Sequence, residues 1–268
     1  MPELPEVETT KNGLESILTN KTIIDVEIRN PNLRWKLDQS IKSKIKYQVI
    51  RSFSRRGKYI LFNLDNGYLM IHLGMSGKIN VVGINEPLNK HDHFLLKFKN
   101  EVMRFNDSRR FGSIFYLKDL NHKLLNNLGV EPLEDSFHKN YLFENSRNKT
   151  QNVKAFIMDS KIVVGVGNIY ACESLYKAGI NPKTKANKIS KQRYIKLTNN
   201  IKGVLRKAIK AGGTTLHDFA KVDGKPGYFS QELSVYGREN ENCFNCNGKI
   251  RRIVQNQRST FYCPKCQK

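Results

Sequence analysis

Two knuckles, Cys243-x2-Cys246 and Cys263-x2-Cys266, separated by residues 247–262, constrain the end of this 268-residue chain more tightly than any other feature. Such a pair supplies four thiolates to a tetrahedral metal, and the metal closes a segment too short to bury a core of its own. One structural Zn2+ is the expected ion, with iron–sulfur ligation the minority reading. Protein sulfur fills all four positions and leaves none open for substrate, so no catalytic metal is expected, nor any organic cofactor. Between the knuckles, two β-prone runs flank Gln255-Asn256-Gln257, which predicts a hairpin with Arg258 near its tip, shaped to reach into a duplex. The fifth cysteine, Cys172, stands alone and reads as a small buried apolar residue. Four of five cysteines crowded into one end argue for metal chemistry rather than a secreted disulfide framework.

Upstream, the texture changes once. After a helix with Pro5 near its start and Val7, Leu14, Ile17 and Leu18 on one face, strand-like runs cover 22–29, 45–51, 58–64, 67–73, 93–99, 102–106 and 111–117. From His122 the pattern turns helical, at 122–128, 136–145, 150–158, 168–178 and 190–211. The last is the clearest: Ser190 is a candidate N-cap, Tyr194, Leu197, Ile201, Val204, Leu205, Ala208 and Ile209 keep helical spacing, and Gly212 is a stop. No solenoid repeat is present.

The 46 Lys+Arg against 24 Asp+Glu give a net charge of +22, which suits a polyanionic partner. Charge does not name that partner, since ribosome-associated proteins share it and joint Lys and Asn enrichment also arises from compositional drift. No stretch reaches the roughly 18 apolar residues of a membrane span, and Glu3, Glu6 and Glu8 stand where a signal peptide carries basic charge. The expectation is a cytoplasmic protein without a membrane partner.

Met1 before a proline is normally trimmed, which exposes Pro2 as a secondary amine. An α-amino group has a pKa of roughly 8, so a fraction is neutral near pH 7 and able to attack a sugar C1′. Taken alone, a Met-Pro start is common in unrelated chains. Glu3 and Glu6 place two carboxylates within a few residues of the amine, where proton exchange and ordinary helix-dipole stabilisation are both open roles for Glu6.

Pro2-Glu-Leu-Pro-Glu-Val-Glu-Thr-Thr10 resembles the opening of the formamidopyrimidine-DNA glycosylase family. Further blocks match in order: Arg55-Arg-Gly-Lys58-Tyr, His72-Leu-Gly-Met75-Ser-Gly, His91-Asp-His93, Asn106-Asp-Ser-Arg109-Arg110-Phe111-Gly, Val163-Val-Gly-Val-Gly-Asn168-Ile-Tyr-Ala, Gly212-Gly-Thr-Thr215, Gly224-Lys-Pro-Gly-Tyr-Phe229 and the four cysteines. The resemblance spans essentially the whole chain. It implies an α+β fold: an N-terminal β-sandwich flanked by helices (1–120), a helix-two-turns-helix DNA-binding domain (121–233, with a lesion loop near 214–230) and a zinc-finger hairpin (234–268).

It also implies an activity: excision of 8-oxoguanine and formamidopyrimidines from duplex DNA, then β,δ-elimination through a Schiff base at Pro2. Carried over residue by residue, Pro2 is the nucleophile, Glu3 the acid acting on the deoxyribose, Lys58 a proton donor in strand cleavage, and Arg258 a phosphate ligand that assists the second elimination. His91, Arg110, Lys149, Lys154 and Asn168 are implied phosphate contacts. Met75, Arg109 and Phe111 fill the void left by the extruded base, with Arg109 facing the orphaned cytosine. The partner implied is damaged double-stranded DNA, met by a monomer associated with the nucleoid.

Each residue also has a plainer reading without the family. Lys58 is then a solvated charge, Met75 and Phe111 are packing residues, Arg109-Arg110 is a basic patch, and the glycines before Asn168 serve close helix packing. Asn168 otherwise begins a helix, where free amides and the dipole favour an anion. His91 and His93, on one face of a strand, find no further ligand nearby, and a metal reading is rejected. Two departures stand out: Ser108 where the family commonly has proline, and His217 where arginine is frequent. The alternatives are an endonuclease VIII-type enzyme for oxidised pyrimidines, which Leu4 and Pro-Glu-Val-Glu argue against, and a non-enzymatic DNA-binding protein on the same scaffold.

Overall fold

The computed structural model describes residues 2–214, 222 and 228–268. Met1, 215–221 and 223–227 lie outside the described residues, and with them Thr215, His217 and most of the expected lesion loop. The chain forms two compact units, Met1–Asn126 with Ala211–Ser230, and Asn127–Lys210 with Gln231–Lys268. Expected boundaries at 120/121 and 233/234 follow chain order, whereas compactness follows contacts, and the finger residues share a unit with the helices.

The first unit opens with α1 (Leu4–Leu18), which has Pro5 in its first turn and a reciprocal capping box between Glu3 and Glu6. The elements that follow are β1 (Asp25–Ile28), α2 (Ile41–Ile45), β2 (Ile50–Arg56), β3 (Tyr59–Leu64), β4 (Tyr68–His72), β5 (Lys78–Gly83), β6 (Asp92–Lys97), β7 (Glu101–Asn106) and β8 (Ser113–Leu117). They make two four-stranded antiparallel sheets, ordered β1-β6-β7-β5 and β2-β3-β4-β8. A single apolar core joins them: Val26, Ile79, Phe94, Leu96, Met103 and Phe105 from one sheet meet Phe53, Ile60, Phe62, Leu69, Ile71 and Ile114 from the other, with Val7, Leu14 and Leu18 of α1. This is the sandwich with flanking helices that the family resemblance implies.

Two readings of the sequence need correction. The run 45–51 is not one strand: Ile41–Ile45 is helical and the strand begins at Ile50, because Ile41 and Ile45 stand four apart and bury one helical face. Strand β5 lies outside the strand-like runs of the sequence; its register against β7 runs Lys78 to Asn106 through Gly83 to Glu101.

The first unit's leading segment ends with α3 (Lys123–Asn126); the second unit carries α4 (Tyr141–Ser146), α5 (Val153–Met158), α6 (Asn168–Ala178) and α7 (Lys191–Lys210), then β9 (Arg251–Gln255) and β10 (Arg258–Tyr262). Asn152 caps α5 by accepting from Ala155 N at 2.8 Å. Gly179 ends α6 with φ +71°, a left-handed turn that favours glycine. On α7, Tyr194, Leu197, Thr198, Ile201, Val204, Leu205 and Ala208 are buried, the 3.6-residue period read from the sequence. Asn256 and Gln257 (φ +48° and +58°) form the two-residue turn of the β9–β10 hairpin, the twist that tight hairpins require. Among the described residues no helix is long and apolar enough to cross a membrane.

Candidate nucleic-acid and zinc sites

In the first unit, Pro2 and Glu3 are buried at the start of α1. Glu6 is committed to structure: its Oε2 accepts from Glu3 N at 2.8 Å and its Oε1 from Thr214 N at 2.8 Å. Glu6 thereby ties the start of α1 to residue 214, a structural use that stands beside the proton exchange and helix-dipole roles open for it. Lys58 stands in the two-residue turn Gly57-Lys58 that joins β2 to β3, and Arg55 and Arg56 end the strand before it. Arg55 fixes this turn, donating to Gly57 O at 2.9 Å and to Glu8 Oε2 of α1 at 2.5 Å. The hairpin that carries Lys58 is thereby tied to the helix that begins at Glu3.

His72, unassigned in the sequence reading, sits on β4 with its ring 4.8 Å from that of Tyr59. Gly74 N donates to His72 Nδ1 at 3.0 Å, which places the ring proton on Nε2. Burial first, then the positive charges of Lys58 and Arg34, pull its pKa down to about 4. His72 is therefore a neutral donor at pH 7 beside the cations that face it.

Met75, Arg109 and Phe111 are brought together by two apposed loops, 73–77 and 107–112. Gly74, with φ +65°, lies so close to the second loop that a Cβ would come within 2.4 Å of Phe111 C. Arg109 stacks over the Phe111 ring at 5.0 Å, and Phe111 is 42% exposed, outside the buried core. Phe111 also precedes β8 instead of starting it. Arg110 is exposed, with a positive φ of 58°. Asp107, fully buried, organises this pair of loops: its carboxylate accepts from Ser76 Oγ at 2.5 Å and Gly112 N at 2.7 Å. His91 precedes β6, while His93 is buried with Nε2 donating to Asp107 O at 2.8 Å, a structural use of that ring.

In the second unit, Lys149 is exposed between α4 and α5, as a phosphate ligand would be. Lys154 is not: it is 2% exposed, and its Nζ donates to Thr260 Oγ1 at 2.6 Å and Ser259 O at 3.1 Å. Lys154 thus acts as a strut beneath the hairpin, a use of its ammonium on internal acceptors that stands beside the phosphate contact expected from the sequence. Asn168, the first residue of α6, sends Nδ2 to the same Ser259 carbonyl at 2.9 Å. Arg258, the neighbour of Ser259, is exposed just past the turn. Glu173, buried in α6, accepts from the backbone amides of Ser234, Val235 and Tyr236, each at 2.9 Å. An acidic residue inside an apolar helical stripe was the one sequence signal for it.

Cys243, Cys246, Cys263 and Cys266 offer sulfur atoms that all lie within 4.8 Å of one another. A tetrahedron with Zn–S bonds of about 2.3 Å has edges of about 3.8 Å; Cys243–Cys266 and Cys246–Cys263 are 3.8 and 3.5 Å apart. The four residues fit one structural Zn2+, which crosslinks the two knuckles on either side of the hairpin. Cys172 is buried and packs with Cys243, Ile250 and Phe261.

Comparison with known proteins agrees with this geometry. Residues 1–114 match the formamidopyrimidine-DNA glycosylase N-terminal domain, 128–220 the H2TH domain of the same enzymes, and 241–268 the zinc finger found in FPG and IleRS. The chain is 58% identical over its full length, and that of its relative, to a formamidopyrimidine-DNA glycosylase of Vesicomyosocius okutanii, and 51% identical to one of Idiomarina loihiensis. Among solved structures, a mutant Lactococcus lactis FPG with Fapy-dG containing DNA matches with a TM-score of 0.94 at 33% identity, covering both chains entirely. The Lactococcus lactis Fpg with abasic site containing DNA matches at 0.93, covering 99% of each chain. The chain belongs to the formamidopyrimidine-DNA glycosylase family.

Proposed function

We propose that this chain is a base-excision repair enzyme, a bifunctional DNA glycosylase and AP lyase, that removes 8-oxoguanine and formamidopyrimidines from duplex DNA. The full-length match to enzymes of that name, one of them solved with Fapy-dG containing DNA, carries this reading. After Met1 is removed, the Pro2 amine attacks C1′, the glycosidic bond breaks and the base departs with a proton. Glu3 protonates the ring oxygen as the sugar opens to an iminium ion. Loss of the C2′ proton then expels the 3′ phosphate, and a second elimination expels the 5′ phosphate, leaving phosphates at both ends of the gap. Lys58 supplies a proton in these steps, and Arg258 holds phosphate during the second.

Met75, Arg109 and Phe111 occupy the space vacated by the lesion, a role that suits the exposed Arg109 and Phe111 of one loop and the half-buried Met75 of the loop apposed to it. His91, Arg110, Lys149 and Asn168 bind phosphate, whereas Lys154 acts through the hairpin. Three functional modules follow, at 1–120, 121–233 and 234–268. The protein works as a monomer on nucleoid DNA in the cytoplasm, without a membrane partner.

Borohydride trapping on a duplex with 8-oxoguanine opposite cytosine tests the reaction. An adduct mapping to residue 2, lost in Pro2→Gly and weakened in Glu3→Gln, is the expected result. Trapping on oxidised pyrimidines alone would assign the chain to the endonuclease VIII type, and no adduct on either, with DNA binding intact, to a non-enzymatic role.

A further inference from the structure

Asn168, Cys172 and Tyr176 stand at i, i+4 and i+8 on α6, so they form one stripe about 12 Å long on a single face. That stripe is the face presented to the finger. At its N-terminal end Asn168 Nδ2 donates to Ser259 O at 2.9 Å; in the middle Cys172 packs with Cys243, Ile250, Phe261 and Cys263; at its C-terminal end the Tyr176 hydroxyl lies 3.2 Å from Cys243 Sγ. The direction of this last bond follows from the chemistry of the site. A zinc-bound sulfur carries no proton, so the phenol donates and the thiolate accepts. The backbone amide of Asn245 also reaches Cys243 Sγ, but at 3.5 Å.

From this arrangement we infer that the Tyr176 hydroxyl is an outer-sphere donor to the zinc site, and that with the Asn168–Ser259 bond it sets the register of the finger on α6. A hydrogen bond to a metal thiolate withdraws charge from sulfur, which stabilises the bound form and lowers the sulfur's reactivity toward oxidants and competing chelators. It also has a mechanical consequence. The zinc end of the finger is held by Tyr176 and the hairpin end by Asn168, so a shift at the metal is carried along a rigid helix to the residue beside Arg258. Tyr176 is in this sense a positioning residue: it orients a ligand and touches no reacting atom. The inference concerns zinc and is independent of which lesion the enzyme removes.

The test uses full-length zinc-loaded protein. Tyr176→Phe keeps the ring and deletes the donor; Tyr116→Phe, whose hydroxyl donates to Asn66 O in the first unit, is the control. Zinc transfer to a chromogenic chelator is expected to be roughly tenfold faster in Tyr176→Phe than in wild type and unchanged in the control. In the Co2+-substituted protein, the sulfur-to-cobalt charge-transfer band is expected to move to longer wavelength in Tyr176→Phe, since the thiolate becomes more electron-rich. Folding is verified by circular dichroism. Equal release rates and superimposable cobalt spectra in folded Tyr176→Phe would overturn the assignment. Should that variant not fold, the wild-type protein loaded with 113Cd decides: scalar coupling between the Tyr176 hydroxyl proton and cadmium supports the bond, and a resolved hydroxyl proton without coupling overturns it.

Discussion

The Asp107 carboxylate receives the Ser76 hydroxyl at 2.5 Å, and that same Ser76 Oγ accepts from Arg109 N at 3.1 Å. One buried anion thus fixes the turn that displays Met75 and the loop that displays Arg109 and Phe111. Replacing it by asparagine removes the charge that holds Ser76 Oγ and Gly112 N, and leaves an amide where an acceptor is needed. Asp107→Asn is expected to lower stability by about 1–3 kcal/mol and to weaken binding to abasic duplex DNA. Urea melts with parallel binding isotherms check this; unchanged affinity would detach the loop pair from DNA recognition.

His72 offers a pH prediction. Its folded pKa, about 4, is below the unfolded value near 6.5, so the unfolded chain binds the extra proton first. The contribution of neutral His72 to stability is complete above pH 6.5 and falls progressively as pH drops toward 4. Proton NMR of the ring should show no protonation at pH 5.5, with Nε2 bearing the hydrogen. A midpoint near 6.5 would contradict the burial and the opposing charges of Lys58 and Arg34.

Lys154 and Arg258 are expected to separate by salt dependence. Arg258→Ala should reduce the slope of log affinity against log salt by about 1, as loss of one phosphate contact does. Lys154→Ala should leave the slope unchanged while costing roughly 2–4 kcal/mol of stability, because it leaves a cavity and takes a donor from the buried Thr260 hydroxyl, while Ser259 O keeps Asn168. Equal slope changes in the two variants would restore Lys154 as a phosphate ligand.

Zinc removal should act locally. Chelation is expected to unfold residues 241–268, abolish tight DNA binding and leave the sandwich core of the first unit protected, since that core contains no cysteine ligand. Hydrogen exchange read by mass spectrometry distinguishes this from global unfolding.

Local pattern made much of the molecule legible from the chain alone. The cysteine spacing gave the metal site, the 3.6-residue period gave α6 and α7, the polar turn gave the β9–β10 hairpin, and the ordered motifs gave the family. These depend on residues near one another along the chain or on a preserved run of text. What the tertiary structure decided is where polar side chains find partners. The sequence does not show that Lys154 donates to Ser259 and Thr260, 105 and 106 residues away. Glu173 and Asp107 carry no role in the sequence until three amides beyond residue 233 converge on the first and Ser76 reaches the second. Apolar burial is written in local periodicity because any apolar neighbour satisfies it, whereas a buried charge needs a specific, directional partner that only the folded chain can bring within about 3 Å.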